Sequence, residues 1–220
     1  MAETILYEKQ GNIVTMTLNR PDSLNAINRL LRQELADAIV EFDNDPEAFV
    51  AIITGSGRAF CSGRDLKERA DDNALGVQAR ASASMTKESP FMWPRTWKPM
   101  IAAVNGFALA GGWSIAQMCD LRIASEEAKL GISETRWSLL PPFGTILPKQ
   151  MNLASVLELV LTAQPVTAQR AYDMGFLNKV VPPGDLMEEA MSMAQQIADT
   201  APLALSLIHI SAPTRRYAIS

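Results

Sequence analysis

The sequence predicts an α/β protein with a parallel sheet, and three consecutive stretches carry that expectation. In NIVTMTLNR, Val14, Met16 and Leu18 alternate with Thr15 and Thr17, the two-residue period of a strand buried on one face. From Asn25 onward, Ile27, Leu31, Leu35, Ile39 and Phe42 recur at helical spacing until DNDP, where Pro46 cannot continue a helix. VAIIT, Val50 to Thr54, is then a short apolar run before the turn GSG. Two strands joined by a long crossover helix lie parallel, because a tight hairpin cannot connect them.

The remaining elements follow in order. GRAFCSGRDLKERA leads into a polar, Ala/Ser/Met-rich stretch from Asp71 to about Pro90, expected to be a partly helical excursion and a candidate wall of a substrate site. MIAAVNGFALAGG reads as strand and turn, WSIAQMCD as an apolar helix, and LRIAS and AKLGIS as short strands. One theme occurs twice, from Val50 to Asp65 and from Ile101 to Ser114: apolar strand, Gly turn, short crossing segment, Gly, helix start. From Asn152 the pattern changes to three amphipathic helices, the second capped by Thr167 and stopped by Gly175, the third starting near Asp185. The expected organisation is a core of residues 1–150 carrying the site, a helical C-terminal region over 151–206 and an atypical tail over 207–220.

Composition narrows the partners. A chain of 220 residues, 48% hydrophobic, can bury a full core. Its net charge of −4, with no basic run interleaved with aromatics, leaves no nucleic-acid footprint, although a small anionic ligand could be held by local positive charge. Cys61 and Cys119 sit in apolar contexts without CxxC spacing or a neighbouring His, which predicts buried free thiols, no metal site and a reducing compartment, the cytoplasm. The N-terminus lacks the apolar core of a leader, and no run approaches the roughly 20 apolar residues of a membrane span.

The paired glycines of LAGGWSIAQMCD suggest chemistry. A helix N-terminus offers unpaired N–H groups and the positive end of a dipole, and glycine lets a ligand oxygen approach that backbone without an intervening Cβ. Two such termini converging would form a two-donor oxyanion hole. For either glycine pair alone, a tight turn with close helix packing explains the pattern as well.

Several motifs in order decide between these readings: TLNRPDSLNAI (Thr17 to Ile27), GRAFCSGRDLKE (Gly57 to Glu68), AAVNGFALAGGWS (Ala102 to Ser114), CDLRIASEEAKLGISE (Cys119 to Glu134) and AYDMGFLNKVV (Ala171 to Val181). In these the chain resembles the crotonase family, also called the enoyl-CoA hydratase/isomerase family, from Ile5 to about Leu205. The resemblance implies a crotonase-like ββα spiral with a helical C-terminal region, binding a coenzyme A thioester whose CoA is part of the substrate, so that no separate cofactor is expected. It implies backbone N–H donors at Arg64 and Gly111, further substrate contacts at Ala26, Ser62, Asp65 and Leu66, and, if the C-terminus is complete, a homotrimer or dimer of trimers.

The acid and base are where the sequence departs from the family. Its hydratases hold a water between two glutamates; the second is present as Glu134, but Ser114 occupies the first position, and a hydroxyl is too weak an acid or base to replace a carboxylate. One carboxylate suffices for enolate formation and double-bond isomerisation. Ser114 with Glu134, and the loop SETRWSLLPPFG with Trp137, Pro141 and Pro142, also resemble the hydroxycinnamoyl-CoA hydratase-lyases, although that subgroup's C-terminal tyrosine has no clear equivalent. A non-catalytic acyl-CoA binder is the third reading.

Blander roles are open for several residues. Ser114 could satisfy a free N–H in the first turn of its helix, and Asp65 and Asp120 could be capping and turn residues. Trp93, Trp97 and Trp113 could be core or could line an aromatic acyl pocket. With the lone His209 in the tail and no GxSxG elbow, a Ser-His-Asp hydrolase is not expected. From about Leu207 the tail LIHISAPTRRYAIS is unlike the amphipathic helix the resemblance implies, and is expected to be foreign or frame-shifted sequence.

Overall fold

A computed structural model of the chain describes residues 3–74, 93–94, 96–139, 141, 144 and 146–200. Strands β1 (Ile5–Gln10) and β2 (Ile13–Leu18) form an antiparallel hairpin. Helix α1 (Arg29–Asn44) crosses to β3 (Val50–Gly55), which lies parallel to β2 with Ile13 opposite Val50. Then come β4 (Ala59–Cys61), α2 (Leu66–Ala74), β5 (Met100–Val104), β6 (Phe107–Leu109), α3 (Gly111–Met118), β7 (Leu121–Ser125) and β8 (Lys129–Gly131). A 3-10 turn over Glu134–Trp137 leads to α4 (Leu147–Gln150), α5 (Leu153–Thr162), β9 (Val166–Thr167), α6 (Ala168–Asp173), β10 (Lys179–Val181) and α7 (Leu186–Ala198).

From β3 to β8 the strands are dealt alternately to two sheets. The larger runs β1-β2-β3-β5-β7-β10, parallel after the hairpin, and the smaller runs β4-β6-β8-β9, with only β9 antiparallel. Each turn of chain therefore places one strand in the large sheet and the next in the small one before a helix or connection returns it, which is the ββα spiral. Both faces of the large sheet are covered, so VAIIT is apolar at consecutive positions. Ala51 and Ile53 join Val14, Met16 and Leu18 against α1's Leu31, Leu35, Ile39 and Phe42. Val50 and Ile52 join Ile13, Ile101 and Ile123 against α7's Leu186, Ala190 and Ala194.

Two elements differ from the sequence reading. Helix α1 begins at Arg29, capped by the Asn28 side chain accepting from the Leu31 N–H at 2.8 Å, and not at Asn25. Leu24 and Asn25 instead take left-handed φ values of 51° and 54°, with Asn25 fully buried and its amide donating to the Ser56 and Ala59 carbonyls. The region after Asn152 is not purely helical: β9 extends the small sheet, β10 pairs with β7, and α7 seals the large sheet. The expected cap and stop of the second helix are both present, with Thr167 Oγ1 accepting from the Arg170 N–H at 3.1 Å and Gly175 at φ 80°. The tail and most of the Ala/Ser/Met-rich excursion lie outside the described residues.

Candidate active site

The three adjacent parallel strands of the small sheet deliver the sequence-predicted residues to one place. Beyond the end of β4 stand Gly63 and Arg64, beyond β6 stand Gly111 and Ser114, and beyond β8 stands Glu134. Hydrogen bonds tie these strand ends together: the Ala110 N–H donates to the Gly131 carbonyl at 2.9 Å, one residue before Gly111 and three before Glu134. Gly63 lies at φ 99°, and a Cβ there would stand 2.9 Å from the Leu109 carbonyl oxygen and 3.3 Å from the Gly111 nitrogen. The two glycine motifs are thus packed backbone to backbone, which only residues lacking a side chain permit. Open parallel sheets place ligands outside such carboxyl ends.

Among the described residues neither candidate amide has an acceptor. Arg64 forms a parallel bridge with Ile27 in which the Ile27 N–H donates to Gly63 (2.7 Å) and the Asp65 N–H donates to Ile27 (3.0 Å). The bonds thus flank Arg64 and leave its own N–H directed away from Ile27. Gly111 is the first residue of α3, where helical geometry supplies no acceptor. Ala110 before it takes φ 51° and ψ −115°, a conformation rare for an L-residue and costing of order 1–3 kcal/mol. Such strain is tolerated where a peptide must turn out of the path of the chain.

Gly112 answers a packing need: a Cβ there would fall 2.0 Å from the Cys61 carbonyl oxygen, a backbone atom of β4 that cannot swing aside. Gly112→Ala is therefore expected to force α3 off β4, costing about 1–3 kcal/mol, a lowered Tm by calorimetry. A melting point equal to the parent's would show that the helix start is not held where these contacts place it.

Glu134 opens the 3-10 turn, which is closed by Ser138 at φ 54° and tied to α5 by the Thr135 hydroxyl donating to the Val160 carbonyl at 2.8 Å. Its Oε2 is buried with no hydrogen-bond partner. Burial pushes its pKa above the ordinary 4.5, partly offset by the nearby amides of Glu134 and Ser133. A partly desolvated, incompletely satisfied carboxylate at converging strand ends has the character of a proton carrier. Ser114 is 3% exposed, and its hydroxyl makes no hydrogen bond to a described residue. Among the described residues that hydroxyl therefore satisfies no free N–H of the first turn, and the Ser114 N–H itself bonds the Ala110 carbonyl at 3.1 Å.

The remaining predicted residues sort by their contacts. The Asp65 carboxylate accepts from Arg20 (2.9 Å) and from the Lys67 and Glu68 amides, so it caps α2 and braces the loop. Ala26 is nearly buried, Ser62 half-buried with its N–H on the Leu24 carbonyl, and Leu66 is 63% exposed at this same edge. Asp120 is a turn residue, exchanging bonds with the Met100 backbone. Trp113 is fully buried and stacks on Phe176 at 3.9 Å, with the Arg122 guanidinium over the other ring, so it belongs to the core and not to an acyl pocket. Trp93 is likewise core, Trp97 lies beside Asp43 near the end of α1, and Trp137 is 66% exposed. Pro141 is buried; Pro142 lies outside the described residues.

Neither cysteine is in a disulfide and both are buried, and burial pushes the Cys61 thiol up to about 12, which removes it as a nucleophile. Among the described residues no helix is long and apolar enough to cross a membrane. Sequence reasoning missed Arg32. Its signal was available: Arg29 and Arg32 stand in the first turn of α1, which holds no acidic residue and where the helix dipole disfavours cations.

Comparison with known proteins agrees with this architecture. The sequence model of the enoyl-CoA hydratase/isomerase family matches residues 8–214. The short-chain-enoyl-CoA hydratase of Clostridium acetobutylicum is 37% identical over 206 residues, spanning 92% of this chain and 78% of that one. The crotonyl-CoA hydratase of Syntrophomonas wolfei is 35% identical, over 93% and 79%. The crystal structure of an enoyl-CoA hydratase from Bacillus anthracis superposes with a TM-score of 0.87 at 34% identity, covering 97% of this chain and 84% of that one. The chain belongs to the enoyl-CoA hydratase/isomerase, or crotonase, family.

Proposed function

We propose that the protein is an acyl-CoA thioester enzyme of the hydro-lyase type, acting at the α,β double bond of an enoyl-CoA. The observation that carries this reading is the convergence of a desolvated carboxylate and two unpartnered amides at the ends of three parallel strands. The Arg64 and Gly111 amides hold the thioester oxygen, and Glu134 is the single proton carrier. In hydration, Glu134 takes a proton from water as the water oxygen bonds to C3. The C2=C3 electrons move into the thioester, whose enolate oxygen rests on the two amides, and Glu134 returns the proton to C2. The Ser114 hydroxyl orients water or a substrate oxygen. Isomerisation would use the same two amides differently: Glu134 would take a proton from C2 of a 3-enoyl thioester, the dienolate oxygen would rest on the amides as the double bond shifts to C2=C3, and Glu134 would return the proton to C4.

In this reading no cofactor is needed, CoA being part of the substrate. Ala26, Ser62 and Leu66 line its approach, and Asp65 holds that edge through Arg20. The exposed stripe of Leu153, Leu157 and Leu161 on α5 suits the expected homotrimer, and two buried cysteines outside any disulfide suit the cytoplasm. A hydroxycinnamoyl-CoA hydratase-lyase is the second reading, favoured by Ser114 together with Trp137 and Pro141 after Glu134.

Assays with crotonyl-, but-3-enoyl- and 4-hydroxycinnamoyl-CoA, with products identified by mass, distinguish hydration, isomerisation and carbon–carbon cleavage. Tight thioester binding without conversion or α-proton exchange would leave only a binding protein. Ser114→Glu is expected to raise simple hydration by restoring a carboxylate pair, at the cost of any activity that needs the hydroxyl. No gain would show that serine does not set the reaction.

A further inference from the structure

Among the described residues, two arginines on the edge of this site, Arg32 and Arg64, lie beside one another and neither forms an ion pair with an acid. The parallel bridge between Ile27 and Arg64 lays the segment 63–68 beside the start of α1. Arg32 in the first turn of that helix is half-buried, as is Arg64, and each has its Nε shielded from solvent with no hydrogen-bond partner. Glu68, the acid that acts on Arg32, also holds the helix start, both of its carboxylate oxygens accepting from the Arg29 N–H at 3.1 Å. Asp65 is held by Arg20. Burial, then repulsion from Arg64 and to a lesser degree from Arg29, pushes the Arg32 pKa down, with only Glu68 acting against it.

Two guanidinium groups that repel one another, lose solvent and face the positive end of a sixteen-residue helix are unfavourable in the ligand-free protein. A bound oxyanion would relieve all three costs at once, because a planar guanidinium binds phosphate or carboxylate through paired N–H donors. We propose that Arg32 and the Arg64 side chain form an oxyanion receptor that takes an anionic group of the thioester ligand, while the Arg64 amide serves the thioester oxygen. This rests on the acyl-CoA reading. The shared chemistry is an oxyanion, carried either as phosphate on the nucleotide end or as carboxylate on the acyl end.

The test is calorimetric titration of wild type and Arg32→Gln with crotonyl-CoA, its 3′-dephospho form, crotonyl-pantetheine and the dicarboxylic thioester glutaconyl-CoA. Arg32→Gln is expected to weaken binding about ten- to hundredfold wherever the recognised anion is present. A loss confined to crotonyl-CoA and glutaconyl-CoA identifies the 3′-phosphate. A loss that persists in the dephospho form and vanishes with crotonyl-pantetheine identifies the diphosphate, and one confined to glutaconyl-CoA identifies an acyl carboxylate. Dissociation constants within twofold of wild type for all four ligands overturn the proposal, whereas a wild-type protein that binds none of them overturns the acyl-CoA reading itself. Ligand-free Arg32→Gln is expected to melt no lower than wild type, since repulsion and desolvation are both relieved. A lower melting point would make Arg32 a structural residue and overturn the receptor.

Discussion

Glu134→Gln is expected to reduce turnover by about 10²–10⁴-fold while leaving thioester affinity largely unchanged. The amide keeps the size of the side chain and loses its basicity, and Ser114 at the neighbouring helix start cannot take over proton transfer. The same substitution should not destabilise the protein at neutral pH. Burial raises the Glu134 pKa in the folded state, so the protonated form is the one the fold favours. Stability associated with this group is therefore fully present below its unfolded pKa and is lost as pH rises through the higher folded value. Glutamine mimics the protonated form, so the variant's Tm at neutral pH should equal or exceed the parent's. The wild-type rate of hydration should rise with pH through a pKa above 4.5, as the carboxylate needed to activate water forms. An active Glu134→Gln protein, or one that melts well below wild type, would assign this carboxylate a structural role.

Gly111→Pro should lower kcat by about 10²–10³-fold, the usual consequence of deleting one oxyanion donor, or about 2.7–4 kcal/mol. The position makes the experiment interpretable. Gly111 is the first residue of α3, where proline is tolerated because no intrahelical bond is lost. An added Cβ would crowd the Cδ1 end of Ile27 at 2.8 Å, the far end of a side chain, and would otherwise stand in ordinary contact with the Gly63 backbone at 3.5 and 3.7 Å. Gly111→Ala introduces the same carbon and keeps the N–H, so it should retain far more activity. Equal losses in the two variants, with folding confirmed by circular dichroism, would trace the effect to the added carbon and sink the donor role.

The sequence by itself determined what depends on local pattern. Alternation placed Val14, Met16 and Leu18 on one face, the helical stripe from Leu31 to Phe42 marked the inner side of α1, and Thr167 and Gly175 bounded α6, because each of these is decided by neighbours in the chain. The order of the motifs carried the family resemblance, and that resemblance is what implied Arg64, Gly111, Ser114 and Glu134 as candidate site residues. Tertiary structure decided the rest, wherever an outcome depends on what a segment meets from far along the chain. Asn25 was counted into a helix because nothing local shows that its amide bridges to Ser56 and Ala59 and holds it in a left-handed conformation. Strands β9 and β10 are too short to carry a period and exist because β8 and β7 offer open edges. Trp113 could be core or pocket until Phe176 was seen stacked upon it. The placing of Arg64, Gly111 and Glu134 beyond the ends of adjacent strands, and of Arg64 beside the start of α1, belongs to the spiral alone, since these residues become neighbours only when β4, β6 and β8 lie side by side and Ile27 bridges to Arg64.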